Sequence, residues 1–177
     1  TVPKANSKVL IGDLFNKLYK PKICQLEGDV YAGGFLIIAG CNYVVSKDGI
    51  ILGLPEVKRG LFPMQVMESL SKVISVRNLV DWCIRGYNLD VITANKWGLI
   101  SVITNQVEIE SVVSKWLNEV VSNSPIAIKY GLEAMDTISS SESNHKYLAE
   151  MLELVLKSED ANEGISAFKE KRKPNWK

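Results

Sequence analysis

Cysteine is scarce in this sequence, and its few copies are not spaced for cross-linking. Three cysteines, Cys24, Cys41 and Cys83, occur in 177 residues, and no two of them form a C-x-x-C pair. An odd count without that spacing argues against a disulfide framework or a structural zinc site and indicates a reducing compartment. All three lie among apolar residues, so we predict that they are core residues that behave as small hydrophobic side chains.

An excess of charge of one sign is also absent. The chain has 21 Lys and Arg against 20 Asp and Glu, which gives a net charge of +1. Such a balance produces no field over the whole surface that would gather nucleic acid or anionic lipid. The basic tail KEKRKPNWK is interpreted as the solvated end of a helix, and no nucleic-acid partner is predicted. His145, the only histidine, lies in a polar segment, where we expect a solvated side chain rather than a catalytic triad.

Long apolar runs are missing as well. The opening segment TVPKANSKVLIGDLFNKLYKPK has no extended apolar core and no small-residue cleavage site, so it does not resemble a signal peptide. One uncharged run, Val30–Ser46, has 17 residues, but three glycines and Asn42 interrupt it. A membrane-spanning helix needs about 20 apolar residues. This run is therefore predicted to be a buried turn, helix and strand, and no membrane span is expected.

What the sequence does contain is the composition of an ordinary globular domain, with 46% apolar and 23% charged residues. Apolar and β-branched segments predict strands at residues 21–26, 42–46, 50–52 and 99–103, and a short buried helix at residues 35–40. Residues 53–63 are predicted to be an irregular loop. From Met64 onward six segments show helical periodicity, and Pro125 stands at the first position of one of them. Strands first and helices afterwards predict a mixed α/β fold.

The segment YAGGFLIIAG places Gly33 and Gly34 at the predicted start of a helix. Backbone N–H groups at such a turn are not shielded by side chains, and the helix dipole adds partial positive charge. The turn could hold an anion or stabilise a developing oxyanion. Glycine could equally be needed there for backbone dihedrals or packing alone. The segment is neither a P-loop nor a dinucleotide fingerprint, because it lacks the Gly-Lys-Ser/Thr ending and the G-x-G-x-x-G spacing.

A second feature is the acidic residue Glu56 in GLPEVKRG, between Pro55 and Val57. In a loop held by glycines at both ends, this carboxyl could be partly buried and serve as an acid or base near neutral pH. The alternative is a surface carboxylate paired with Lys58 or Arg59.

Both features lie in a series of segments that resembles the crotonase superfamily, and the branch most similar to them is that of the enoyl-CoA hydratases and isomerases. KPKICQLEGDVYAGGFLIIAGCNYVVSKDGIILGLPEVKRGLFP is similar to KP-x-I-A-x-(I/V)-x-G-x-(A/C)-x-G-G-G-x-x-L…CD-x-x-(I/V)-A…F-x-x-PE-x-x-x-G-x-x-P. RGYNLDVITANKWGLISVI resembles TG-x-x-(I/L)-x-A-x-x-A-x-x-x-GL-V-x-x-V, while NSPIAIKYGLEAMD and EGISAFKEKRKPNW resemble the helical tail. The similarity covers nearly the whole chain from Lys20 on.

The resemblance implies an α/β fold with a crotonase-type ββα spiral core, partial here over residues 1–104, followed by a C-terminal helical trimerisation region over residues 105–177. The family binds an acyl-CoA thioester whose oxygen is held by two backbone N–H groups. One of these donors falls on Gly33, and Ala32 stands where the first glycine of G-G-G is usual. The other donor comes from an earlier part of the family pattern that this chain does not show. The N-terminal part of the family is therefore expected to be missing from this sequence and present in a longer native protein.

The resemblance also implies a mechanism. Family hydratases use two glutamates, and at the first of these positions this chain has Leu36, while the second is kept as Glu56. A single carboxylate suits the shift of a double bond better than hydration, which needs a water positioned and deprotonated. We therefore expect an enoyl-CoA isomerase or hydratase of fatty acid metabolism with Glu56 and Gly33 as catalytic residues. The expected substrate-binding residues are Ala32, Gly33, Gly34, Leu36, Leu54, Phe62 and Lys171.

No covalently bound cofactor and no metal are expected, because coenzyme A enters as part of the substrate. Family members are commonly trimers or dimers of trimers, so a homotrimer or hexamer is expected. The expected location is the cytoplasm, or the mitochondrial or peroxisomal matrix in a eukaryote. Two alternatives stay open: a non-catalytic CoA-binding or assembly paralogue, and another crotonase reaction such as thioester hydrolysis or decarboxylation.

Overall fold

The computed structural model describes residues 15, 17–59, 61–140, 154 and 157–176. The chain divides into two compact units. The first comprises residues 1–18 and 22–114, and the second comprises residues 19–21 and 115–177. No helix within the described ranges combines the length and the apolar character that crossing a membrane requires.

Six short strands in the described part of the first unit form two three-stranded sheets. The first sheet has the order β1-β3-β6 and is parallel throughout; its strands are β1 (Ile23–Leu26), β3 (Tyr43–Lys47) and β6 (Val102–Thr104). The second has the order β2-β4-β5; its strands are β2 (Val30–Tyr31), β4 (Ile51–Gly53) and β5 (Asn88–Asp90). In this second sheet β2 and β4 are parallel, and β5 is antiparallel to β4.

Some helices lie between the strands along the chain, and the others follow the last strand. The helices are α1 (Phe35–Ile38), α2 (Met64–Leu70), α3 (Val76–Arg85), α4 (Val91–Lys96), α5 (Ile109–Val121), α6 (Pro125–Ser140) and α7 (Glu159–Glu170). Helix α3 begins where the Ser75 hydroxyl accepts a hydrogen bond from the N–H of Asn78, 3.3 Å away. It ends at Gly86, whose φ of +57° is the left-handed conformation that glycine adopts without steric cost.

The core of the first unit is built around Trp82. Its ring packs edge to face against Phe35 and Trp97, with centroids 5.3 and 6.0 Å apart, and none of its surface is exposed. The indole N–H donates to the carbonyl of Tyr87 at 2.9 Å, so the buried polar atom has a partner. Truncating such a side chain to alanine typically costs about 3–5 kcal/mol. Through Trp82, helix α3 is therefore anchored to α1 and to the residue that follows α4.

The second unit is held by two carboxylates. Asp160 is only 3% exposed and accepts hydrogen bonds from the Ser124 hydroxyl at 2.6 Å and from the N–H of Ile126 at 3.3 Å, which caps the first turn of α6. Glu163 binds the guanidinium of Arg172, which lowers the pKa of the carboxyl to about 2. Both contacts tie α7 and the residues after it to their own unit.

The predicted mixed α/β class is confirmed, and the differences lie in short elements. Strands β2 and β5, of two and three residues, were not predicted. The segment after β4 is a 3-10 turn over Pro55–Arg59 rather than an irregular loop, and the strand predicted at residues 99–103 covers Val102–Thr104. Cys83 is fully buried as predicted, while Cys24 and Cys41 are half-buried and pack against the edge of the core cluster. The helix predicted around His145 lies largely outside the described residues.

Candidate active site

The candidate site lies where two parallel strands end. In β2 and β4, Tyr31 is paired with Gly53, so both strands stop at the same edge of the sheet. The glycine turn, Ala32–Gly34, follows β2 directly, and the turn that carries Glu56 begins two residues after β4. Because parallel strands deliver the residues after them to one edge, the two predicted features leave the sheet side by side.

The two glycines of the first turn have different surroundings. A Cβ built on Gly33 would meet nothing within 4 Å, and this residue is exposed. A Cβ on Gly34 would lie 2.8 Å from Cγ1 of Val30, which no real side chain tolerates without movement. Gly34 is therefore required for packing, while the space beside Gly33 is open to a ligand.

Ala32 stands before them in the left-handed region, with φ of +50°. For an L-residue this conformation costs on the order of 1–2 kcal/mol, and such strain is concentrated at functional sites. Helix α1 after the turn has only four residues, so a helix dipole adds little here. Any anion affinity of this turn must come from its own backbone groups.

Glu56 lies on the 3-10 turn with one carboxylate oxygen shielded from solvent. Its Oε2 atom is buried and has no hydrogen-bond partner among the residues that the structure describes. The backbone carbonyl of Glu56 accepts from the N–H of Leu61 at 3.1 Å, which holds the turn closed. A buried carboxylate oxygen without a partner is costly, and it requires an explanation such as a catalytic role.

The end of helix α3 forms the wall behind this turn. Burial, and then the nearby charge of Glu56, raise the pKa of the Cys83 thiol to about 11. At Gly86 an added Cβ would lie 2.8 Å from Cγ1 of Val57 and 3.2 Å from the carbonyl oxygen of Leu54. Helix α3 and the Glu56 turn are thus in close contact, and reasoning from the sequence missed this because the two segments are about 30 residues apart. The sequence signal for this contact is Gly86, which directly follows a segment with helical periodicity.

The other expected substrate-binding residues differ in how accessible they are. Leu36 and Phe62 are half-buried and pack against the core of the first unit. Leu54 is fully buried, so it lies beneath the turn, within the core, rather than on an open surface. Lys171 belongs to the second unit, where it is exposed and follows α7 with φ of +55°. Their roles toward a substrate stay predictions.

This architecture, with parallel strands, a glycine turn and a following carboxylate turn, is of the crotonase type. Among solved structures, the enoyl-CoA hydratase/isomerase of Mycobacterium paratuberculosis matches with a TM-score of 0.84 and 27% identity, over 92% of this chain and 66% of that one. An enoyl-CoA hydratase from Shewanella pealeana matches with a TM-score of 0.87 over 93% of this chain and 63% of that one; at 21% identity it shows the fold alone.

The sequence comparisons agree with the structural ones. The carnitinyl-CoA dehydratase of Escherichia coli K12 is 30% identical over 172 residues, which are 93% of this chain and 66% of that protein. The family profile described as enoyl-CoA hydratase/isomerase matches residues 4–177. The chain therefore belongs to the enoyl-CoA hydratase/isomerase family. It spans about 60–66% of the length of the curated relatives that it matches.

Proposed function

We propose that this chain carries the catalytic region of an acyl-CoA enzyme that shifts or hydrates the double bond of an enoyl-CoA thioester, with Glu56 as its single acid/base. The observation that supports this most strongly is the buried Oε2 atom of Glu56, which has no hydrogen-bond partner among the described residues. Glu56 lies after β4, and β4 is paired with β2, the strand that precedes Gly33. An acid/base needs an unoccupied lone pair held close to the reacting carbon, and this oxygen offers one.

In the proposed reaction the N–H of Gly33 donates a hydrogen bond to the thioester oxygen. Glu56 takes a proton from C2 of a 3-enoyl-CoA, and the electrons of the C–H bond move toward the thioester, so that negative charge collects on its oxygen. The same carboxyl then returns the proton at C4, which leaves the double bond between C2 and C3. One hydrogen-bond donor at a developing oxyanion is typically worth a factor of about 10²–10³ in rate.

Residue 36 bears on which reaction dominates. Hydration adds water across the C2–C3 bond, and two carboxylates share this task better than one. Leu36 is apolar and half-buried, so it offers neither a proton nor a hydrogen bond to water. This favours the shift of the double bond. The relatives named mevalonyl-coenzyme A hydratase, from Aspergillus fumigatus, and carnitinyl-CoA dehydratase favour addition or removal of water, so hydration is the second candidate.

The test is a spectroscopic assay of the full native protein with 3-enoyl-CoA and with 2-enoyl-CoA. Glu56→Gln keeps the shape of the side chain but removes the base, and we expect kcat to fall by about 10²–10⁴-fold. The matched control is Glu68→Gln, an exposed glutamate on α2, which should leave kcat unchanged. Turnover that survives Glu56→Gln would contradict the mechanism.

A second variant separates the two reactions. Leu36→Glu supplies the second carboxylate and should raise hydration relative to isomerisation, whereas Leu36→Gln, equally polar but without an acid, should not. Absence of turnover by the native protein on both substrates, with binding of coenzyme A retained in calorimetry, would favour a non-catalytic CoA-binding paralogue.

A further inference from the structure

Tyr31 and Gly53 form the last register pair of the parallel strands β2 and β4. The chain after Tyr31 turns directly into Ala32–Gly34, and the chain after Gly53 reaches Glu56 three residues later. The contact made at this pair is therefore the nearest one, along both strands, that can fix the separation of the two turns of the candidate site.

The ring of Tyr31 fills the space that a side chain at residue 53 would occupy. A Cβ built on Gly53 would lie 2.6 Å from both Cδ1 and Cε1 of that ring, which is closer than van der Waals contact allows. Paired residues on neighbouring strands project to the same face of a sheet, so the ring reaches from β2 across to β4. Tyr31 thus packs directly on the backbone of the partner strand, and only glycine leaves room for it.

This contact lies on the face of the sheet that points away from the core. The preceding pair, Val30 and Leu52, faces the opposite way, because successive side chains along a strand alternate between the two faces. Leu52 is fully buried, and Val30 packs against the core cluster. Tyr31 keeps 44% of its surface exposed. Its contact with Gly53 is therefore a local one at the strand ends, separate from the packing of the core.

The strands are too short to fix this separation by their backbone pairing alone. Strand β2 has two residues and β4 has three, and a pairing of that size is marginally stable. On its other side β4 is paired with β5, where Asn88 lies opposite Gly53 and its Oδ1 atom is 3.2 Å from the same built Cβ. Gly53 is therefore enclosed between two side chains, and an aromatic ring packed over a strand glycine stabilises the pairing of that strand.

We propose that Tyr31 is a positioning residue: its ring, packed on Gly53, fixes the separation between the turn of Gly33 and the turn of Glu56. This inference rests on the proposed function of these two turns. A hydrogen-bond donor for the thioester oxygen and an acid/base must reach one substrate together, and a misplacement of about 1 Å can lower a rate by about 10²-fold. The ring carbons make the contact, so the hydroxyl of Tyr31 is not needed for it.

The experiment measures kcat and KM of the full native protein and its variants with 3-enoyl-CoA and with 2-enoyl-CoA. Tyr31→Ala removes the ring and Gly53→Ala displaces it, so each should lower kcat by about 10- to 100-fold while KM changes little. Tyr31→Phe keeps the ring and should retain kcat. Gly28→Ala is the control, because a Cβ there meets nothing within 4 Å, and it should also retain kcat.

The double variant of Tyr31→Ala with Gly53→Ala distinguishes one shared contact from two independent effects. Once the ring is gone, the Cβ at residue 53 has no ring to displace, so the second substitution should lower kcat by less than about a further twofold. Hydrogen exchange measured by mass spectrometry adds a readout that does not depend on turnover. The amides of residues 30–34 and 51–57 should exchange faster in Tyr31→Ala than in Tyr31→Phe, because the strand ends open more often.

Three results would overturn the proposal. These are an undiminished kcat in Tyr31→Ala, an equal loss of kcat in Tyr31→Phe, or losses that multiply in the double variant. A native protein that turns over neither substrate would contradict the proposed function. In that case the exchange rates still decide the role of the ring, since equal exchange in Tyr31→Ala and Tyr31→Phe would show that Tyr31 does not hold the two turns.

Discussion

Gly33 and Gly34 are adjacent in the candidate site, but the protein needs a glycine at each position for a different reason. Gly34 is confined by Val30, whereas the space beside Gly33 is open, and neither has the left-handed backbone conformation that only glycine adopts easily. The left-handed residue of this turn is Ala32. Substitution at Gly33 therefore tests the space in front of the turn, because neither backbone strain nor a clash within the protein accompanies it.

We predict that Gly33→Ala lowers kcat/KM for an enoyl-CoA by about 10²-fold, because the methyl group displaces the thioester oxygen from the turn. The free energy of unfolding should stay the same or rise by up to about 1 kcal/mol, since alanine restricts the unfolded chain. Gly28→Ala is the matched control: a Cβ there also meets nothing within 4 Å, and activity should be retained. Steady-state kinetics and urea unfolding check both, and full activity of Gly33→Ala would contradict the assignment of the site.

At the scale of elements, the end of α3 and the turn of Glu56 fit together through a glycine. The left-handed Gly86 closes α3 with its N–H donating to the carbonyl of Trp82 at 2.8 Å, and the same residue touches the turn at Val57 and Leu54. One position thus ends a helix and supports the segment that carries the candidate acid/base. A side chain there would disturb both.

We predict that Gly86→Ala lowers the free energy of unfolding by about 2–4 kcal/mol, from left-handed strain and overpacking together. It should also lower activity, since the turn that holds Glu56 must move. Gly49→Ala isolates the first effect, because Gly49 has φ of +74° but open space around it, and it should cost only about 1 kcal/mol. Equal losses in the two variants, measured by urea unfolding, would show that the contact with Val57 contributes nothing.

At the scale of the whole molecule, the C-terminal helical region carries several exposed apolar side chains. The described residues from Asn105 onward include exposed apolar side chains at Val107, Leu117, Val121, Met135 and Ile138. Val107 is 89% exposed and Val121 is 72% exposed. Single exposed apolar side chains are normal on a protein surface, and these would be buried if the helices met another chain.

We predict that the native protein is a homotrimer or a dimer of trimers. Light scattering coupled to size-exclusion chromatography should give a mass three or six times that of one chain, independent of dilution over the micromolar range. Val121→Glu should shift the mass toward the monomer, because it places a charge on the apolar surface. Lys115→Glu on the same helix changes charge at a site already polar and serves as the control. A monomeric native protein would contradict the prediction.

The sequence by itself determined where helices and turns begin and which residues could carry chemistry in this protein. Pro125 marks the first residue of α6, the helical periodicity after Met64 predicts α2 to α6, and YAGG and LPE supply the glycine turn and the carboxylate. Resemblance to a family then implied which reaction such a turn and carboxylate serve. These are local properties, because they depend on residues that are neighbours in the chain.

Only the tertiary structure decided which strands pair, which groups are buried and which segments those residues contact. Strands β2 and β4 have two and three residues, too few for a period-2 pattern, and their register is fixed by pairing between segments about 20 residues apart. The burial of the Glu56 oxygen depends on the segments that pack against its turn, and the end of α3 is one of them. Such contacts form between distant segments, so their cause is packing of the whole core, which no local run of residues encodes.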